Sequence, residues 1–247
     1  MNTKIFHFLL KNLQQAFSLK KYNGLPDKIT ADTNIVQLPW TPARYRKFCA
    51  AVSEELFVST LPADYTLGSI TDYLDTQYSR RFFGQVWRPR TEDYVYTGFS
   101  LVDEICSHNP QSVLDVGCGY HPFRGLIPNL VGIDPYNSAA DYMVDILEYR
   151  VEPESHDHII ALGSINFNSK ADVEKRFAHC VELLAPGGRM YFRVNPGIPH
   201  ANNPYVEIFP WSFEVINEFC QRYRLKLETF KRDTNDRLFF ICTKSKS

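Results

Sequence analysis

VLDVGCGY, residues 113–120, ends an apolar run with an acid and then sets two glycines one residue apart. It reads as a buried strand that turns into a ligand-binding loop, where Gly117 and Gly119 remove the Cβ atoms that would hold a ligand off the backbone. A second apolar run, VGIDP at 131–135, ends in Asp134, nineteen residues after Asp115. Dinucleotide folds use about that spacing to bring a carboxylate from the end of the second strand onto ribose hydroxyls. Together the two stretches place an adenosine-like ligand across the strand ends.

Outward from this pair, strands alternate with connections in the pattern of a parallel sheet with crossovers. Ser112–Val116 is the first strand, Leu130–Asp134 the second, Asp141–Val144 the third, His158–Leu162 the fourth and Arg189–Val194 the fifth. Gly117–Asn129 is interrupted by Pro122 and Pro128, and only Pro135–Ala140 separates the second strand from the third, so neither connection has room for a full crossover helix. Ala171–Leu184 reads as a helix with Val173, Phe177, Cys180, Val181 and Leu184 on one face, stopped by Pro186-Gly187-Gly188. Trp211–Tyr223 is another, with Ser212 as its cap. Leu225–Phe230 and Leu238–Thr243 flank the turn-forming Asp233-Thr234-Asn235-Asp236 and read as a closing hairpin.

Toward the N-terminus, Ile5, Leu9, Leu13 and Phe17 recur every four residues and predict an amphipathic helix over Thr3–Lys20. A second helix runs from Pro42 to Phe57 with proline in its first turn. Ile70–Phe99 is crowded with aromatic and arginine side chains, among them Phe83, Trp87, Arg88, Tyr94 and Tyr96. Such a mixture can stack on bases and neutralise phosphates, or build the interface between an appendage and a main domain. Phe99–Ser107 is a helix leading into the first strand. The chain thus divides into an accessory region, 1–98, and a main domain, 99–247.

The composition, 44% hydrophobic over 247 residues, is that of a globular protein. A net charge of −1 hides a segregation: up to Phe48 there are eight basic residues against two acidic ones, leaving −7 for the rest. The basic arm is a solvated helix face or a surface through which the N-terminal helix docks on phosphate, anionic lipid or an acidic partner. Six cysteines without CxxC or metal-type spacing are those of a reduced, cytoplasmic chain that binds no metal through them. The start, MNTKIFHFLLKN, lacks the apolar length of a secretory core, and no run approaches the roughly 20 apolar residues that span a bilayer.

A nicotinamide fold would place a third glycine at the opening of a full helix, whereas this loop continues Tyr120-His121-Pro122. VLDVGCG (113–119), GIDP (132–135), VDIL (144–147), DHIIALGSI (157–165), the helix ending in LLAPGGRMYFRV (183–194) and the terminal hairpin together resemble the class I S-adenosylmethionine-dependent methyltransferases with a degenerate glycine loop. The resemblance covers a little over half of the chain. It implies an α/β, Rossmann-like sheet, mostly parallel with an antiparallel C-terminal hairpin, carrying a mainly helical N-terminal appendage. It also implies roles: Asp115 and the backbone of Gly117 and Gly119 at the methionine end of S-adenosyl-L-methionine, Asp134 on the ribose, Asp145 and Ile146 at the adenine, and Gly163 and Ser164 near the sulfonium. His121 departs from the pattern, in place of a small residue.

A sulfonium methyl is already activated and its leaving group is neutral, so alignment of the acceptor supplies much of the rate, and a base is needed only where the acceptor must lose a proton. The strand-end segment Gly163-Ser164-Ile165-Asn166-Phe167 lacks both the Asp/Asn-Pro-Pro-aromatic motif of amino-group methylation in DNA and the Pro-Cys nucleophile of cytosine C5 methylation. Candidates on the acceptor side are Asn166, Arg193 and His200, with Asn195 and Tyr205 beside them and Tyr94 or Tyr96 as a cover. His200 alone has a pKa naturally suited to a base near neutrality. The expected activity is methyl transfer to an oxygen or nitrogen of a small molecule, a protein or RNA. The alternative is a cofactor-binding scaffold without turnover.

Overall fold

The structure, a computed structural model, describes residues 1–17, 29–58, 61, 66–88, 98–199 and 203–246. The chain forms two compact units, Met1–Phe82 with Ala201–Glu207, and Phe83–His200 with Ile208–Ser247.

The first unit is helical. Helix α1, Thr3–Phe17, buries Ile5, Leu9, Leu13 and Phe17 completely, as their spacing requires; the expected last turn, 18–20, lies outside the described residues. Helix α2, Pro42–Leu56, begins at Thr41, whose hydroxyl accepts from the Arg44 amide, and ends at Phe57 in the left-handed conformation. Helix α3, Leu67–Arg81, takes in the first twelve residues of the stretch Ile70–Phe99, read from sequence only as aromatic and basic. Thr66 caps it and Leu67, Ile70, Leu74 and Tyr78 turn inward. Trp40 ties the unit together: its ring meets Phe17 and Phe48 at 4.7 and 5.5 Å between centroids, and its indole N–H donates to the Ile35 carbonyl.

The second unit is built on six strands: β1 Val113–Val116, β2 Leu130–Ile133, β3 His156–Leu162, β4 Leu184–Val194, β5 Leu225–Arg232 and β6 Leu238–Lys244. Their order is β2-β1-β3-β4-β6-β5, parallel from β2 to β4 and antiparallel from β4 to β5. Alternation along the strands serves two cores. Leu114, Ile159, Ala161, Met190, Phe192 and Phe240 face helices α5, Lys170–Leu183, and α6, Phe213–Arg222. Val113, Ile160, Tyr191, Phe239 and Ile241 face the opposite layer, where helix α4, Val102–Ser107, and the turn holding Phe123 and Ile127 pack. Helix α5 starts at a capping box between Ser169 and Asp172, and Ser212 caps α6.

Two expectations about this sheet need correction. Asp141–Val144 is not a strand: it makes one parallel bridge, Tyr142 to Ile133. The Asp141 carboxylate takes the Gly132 amide at 2.8 Å, so a side chain occupies what would be a ladder position, and the segment then turns away into a cap at Asp145. Pro186-Gly187-Gly188 does not separate a helix from a strand beginning at Arg189. Leu184 is already extended and paired with His156, and the proline and glycines form a bulge inside β4. The crossovers 117–129 and 134–155 contain no helix; the first is too short for a full one, whereas the second, 22 residues long because Asp141–Val144 is not a strand, has the length and is filled by turns.

Candidate functional site

The site lies at the C-terminal ends of β1, β2 and β3, the place where open α/β sheets bind ligands. β1 lies between the edge strand β2 and β3, so the loop leaving β1 is flanked by the exits of those two strands. The amides of Gly117 and Cys118 both donate to the Ile133 carbonyl, at 2.8 and 3.0 Å, which fastens the loop to the end of β2. Gly117 and Gly119 have φ of +68° and +56°, and a Cβ on Gly117 would stand 2.2 Å from that of Ser164. Glycine is therefore required at 117 by both conformation and space.

Asp134 closes the loop. Its Oδ2 accepts from the Gly119 amide at 3.1 Å, and its Oδ1 accepts from the amides of Tyr136 and Asn137, each at 2.8 Å. Burial raises its pKa while these three N–H groups oppose the rise. Asp115 is 3% exposed, and its Oδ2 has no hydrogen-bond partner. Burial, followed by the nearby charge of Asp134, pushes its pKa up to about 7. The Ser164 hydroxyl, behind Gly117, is likewise buried without a partner. Cys118, between the two glycines, is buried, and burial together with the charges of Asp115, Asp134 and Asp141 raises its thiol pKa far above the ordinary range. Asp115, buried with one oxygen unpartnered next to the well-bonded carboxylate of Asp134, favours a cation at the loop.

His121 has a structural explanation. It adopts φ +57°, and its ring fills the space over Gly132, where a Cβ would meet the imidazole Nε2 at 2.2 Å. Nε2 pairs with Asp141 at 2.9 Å, and Arg124 binds the other oxygen of the same carboxylate. This cluster pins the far side of the glycine loop to the outer edge of β2.

The remaining sequence candidates divide. Gly163, at φ +102°, and Ser164 stand at the end of β3 beside the loop. Asp145 gives one oxygen to the Leu147 amide and the other to Arg176, at 3.1 and 3.2 Å, and Ile146 is 3% exposed in the core under α5. Asn166 is buried, with its Oδ1 accepting from the Asn195 amide at 2.8 Å, while the Asn195 side chain holds the turn at Gly197 and Ile198. Arg193 makes a buried ion pair with Asp233 at 2.6 Å, and Asp233 in turn caps the β5–β6 turn. Tyr205 belongs to the first unit, where its hydroxyl donates to Glu55 and its ring meets Phe8 and Tyr78. His200, Tyr94 and Tyr96 lie outside the described residues.

Sequence reasoning marked Phe83 and Trp87 only as members of a crowded aromatic stretch and passed over Tyr136, which meets Phe83 at the same place. Tyr136, two residues beyond Asp134, stacks on Phe83 at 5.9 Å between centroids and 13° between planes. Phe83 also meets Phe167 at 5.0 Å, and Trp87 packs against Gly119. Tyr136 could have been flagged by its position after the strand-end acid; nothing in the sequence pairs it with Phe83.

No protein-family model and no curated protein sequence matches the chain. Among solved structures, it is similar to the PH0226 protein of Pyrococcus horikoshii OT3, with 15% identity over 68% of this chain and 99% of the other, at a TM-score of 0.52. It also matches the 1,6-didemethyltoxoflavin-N1-methyltransferase of Burkholderia thailandensis, with bound 1,6-didemethyltoxoflavin and S-adenosylhomocysteine, with 15% identity over 89% and 99% of the two chains and a TM-score of 0.49. A third match is the N-methyltransferase NodS of Bradyrhizobium japonicum WM9 in complex with S-adenosyl-L-homocysteine, at 16% identity over 59% and 84% and a TM-score of 0.46. Strand order, hairpin and the Pyrococcus likeness agree on the fold, a Rossmann-like α/β sheet, parallel from β2 to β4 with an antiparallel C-terminal hairpin.

Proposed function

We propose that the chain binds S-adenosyl-L-methionine at the ends of β1 and β2 and transfers its methyl group to a nitrogen or oxygen acceptor. The observation that carries this reading is the buried, unpartnered Oδ2 of Asp115 beside a loop turned by two glycines in the left-handed conformation. Such a carboxylate fits the α-ammonium of the methionine end, which would supply the counter-charge the protein does not. Asp134 already receives the Gly119 amide, so it fixes the loop and offers its remaining acceptor capacity to ribose hydroxyls. When bound, the cofactor supplies a methyl on a sulfonium whose leaving group is a neutral thioether. The chain's own part is to hold the acceptor in line and keep water out, worth several orders of magnitude in rate. The acceptor is a small molecule, a protein side chain or RNA, and the basic face of the N-terminal helix is a candidate for docking it.

A second reading, a cofactor-binding scaffold, draws support from the acceptor side. Asn166 and Arg193 are committed to Asn195 and Asp233. A catalyst would then rely on alignment alone or on residues such as His200.

Calorimetry with S-adenosylmethionine and S-adenosylhomocysteine tests the cofactor. Micromolar binding that disappears in Asp134→Ala is expected; no heat with either ligand, or binding of NAD instead, would overturn the reading. Transfer of labelled methyl into fractionated RNA, protein and metabolites then separates the two functions. Label in no fraction, with binding intact, favours the scaffold.

A further inference from the structure

We propose that Phe83–Arg88 is part of the cofactor site and forms its roof, with the rings of Phe83 and Trp87 covering a nucleoside held by the glycine loop and Asp134. This rests on the cofactor reading above. In the sheet, β1 lies between β2 and β3. Tyr136 leaves β2 and Phe167 leaves β3, and the Phe83 ring touches both. Phe83 therefore spans the end of β1, directly across the crevice in which the ligand would lie. Gly84 makes this approach possible: a Cβ there would stand 2.8 Å from the Tyr136 carbonyl oxygen.

Farther along, a Trp87 ring atom comes within 3.5 Å of where a Gly119 Cβ would stand. The Trp87 carbonyl accepts from the Tyr120 hydroxyl at 3.4 Å, and the Arg88 guanidinium lies 4.7 Å over the Tyr120 ring and donates to its hydroxyl. Three side chains of this six-residue segment, Phe83, Trp87 and Arg88, thus reach the exit loops of three adjacent strands. Phe83, Trp87, Tyr136 and Phe167 are only partly buried, which leaves aromatic surface for a flat base and for a cation beside it. A ligand beneath this cover gains ring contacts that it must give up in order to leave. The roof should act on dissociation more than on association.

The test is stopped-flow tryptophan fluorescence with S-adenosylhomocysteine on the full chain, comparing wild type with Phe83→Leu, Gly84→Ala, Trp87→Phe and Trp87→Ala. Ligand-free melting midpoints serve as fold controls. Loss of one well-formed aromatic contact predicts a dissociation rate about tenfold faster in Phe83→Leu and in Gly84→Ala, with association changed by less than about threefold. Gly84→Ala keeps every ring, so its effect reads the placement of the segment and not its area. Trp87→Phe should lose most of the ligand-induced fluorescence change, because Trp211 is buried in the sheet core and Trp40 lies in the helical unit. Wild-type binding with all variants within about twofold in dissociation rate would overturn the roof and leave the cofactor reading standing. Binding by Trp87→Ala but not by wild type would make the segment a plug, which also overturns it. If neither wild type nor any variant binds, both inferences fall.

Discussion

Replacing Asp115 by asparagine should change folding stability in a strongly pH-dependent way. Asp115 is 3% exposed, and its pKa moves from 3.8 to about 7, chiefly through burial and then through Asp134. Below pH 3.8 the group is protonated in both folded and unfolded chains and has no effect on the balance. As pH rises toward 7 the unfolded chain ionises and the folded one does not, so stability falls; above about 7 the loss is complete. Across the whole interval it amounts to about 4 kcal/mol, and between pH 5 and 8 to about 3 kcal/mol. The amide of Asp115→Asn would not titrate. Whatever constant cost that unpartnered amide adds, roughly 1–3 kcal/mol, the difference between variant and wild type should shift by about 3 kcal/mol in the variant's favour from pH 5 to pH 8. Urea denaturation of both proteins across that range measures it. A difference that changes by less than about 1 kcal/mol would refute the claim that a buried, uncompensated carboxylate sits at this loop. The same substitution should abolish micromolar S-adenosylhomocysteine binding at pH 8, so the stabler protein would be the one that does not bind. Wild-type affinity should rise with pH up to about 7, since binding favours the ionised form.

Gly117→Ala combines a left-handed φ with a 2.2 Å approach to Ser164 and should destabilise by about 2–5 kcal/mol, read as a lower thermal midpoint together with lost ligand binding. Gly132→Ala should cost about 1–3 kcal/mol because an added Cβ would stand 2.2 Å from the His121 ring and 2.9 Å from the Cys118 sulfur, and in a His121→Gly background the cost should fall to what the sulfur contact leaves. An additive double-mutant cycle would exclude the ring as the obstacle. Arg193→Met leaves Asp233 buried without its Arg193 partner and should destabilise by about 3–5 kcal/mol in urea titrations, whatever its effect on turnover.

How much was legible in the sequence depended on how local the determining interaction is. The four-residue spacing of Ile5, Leu9, Leu13 and Phe17 reports one buried helix face and was sufficient. The glycine loop and Asp134 were readable because an αL turn and a strand-end acid leave direct marks in residue type. Helix α3 was hidden by its own composition: aromatic and arginine residues drew attention from the Thr66 cap and from the inward spacing of Leu67, Ile70, Leu74 and Tyr78. The third strand failed because Asp141 uses its side chain where a backbone ladder was expected. Asn166 and Arg193 find partners 29 and 40 residues away, and no local pattern says whether a strand-end polar group meets such a partner or a substrate.

The thiol of Cys118 has a consequence for any methyl donor placed at this loop. A sulfonium methyl is a soft electrophile, and a thiolate beside it would be alkylated by the protein's own reagent. Burial, and after it the acids that favour a cation here, keeps that sulfur protonated and thus a poor nucleophile. A site that attracts an alkylating agent is in this way spared from being consumed by it.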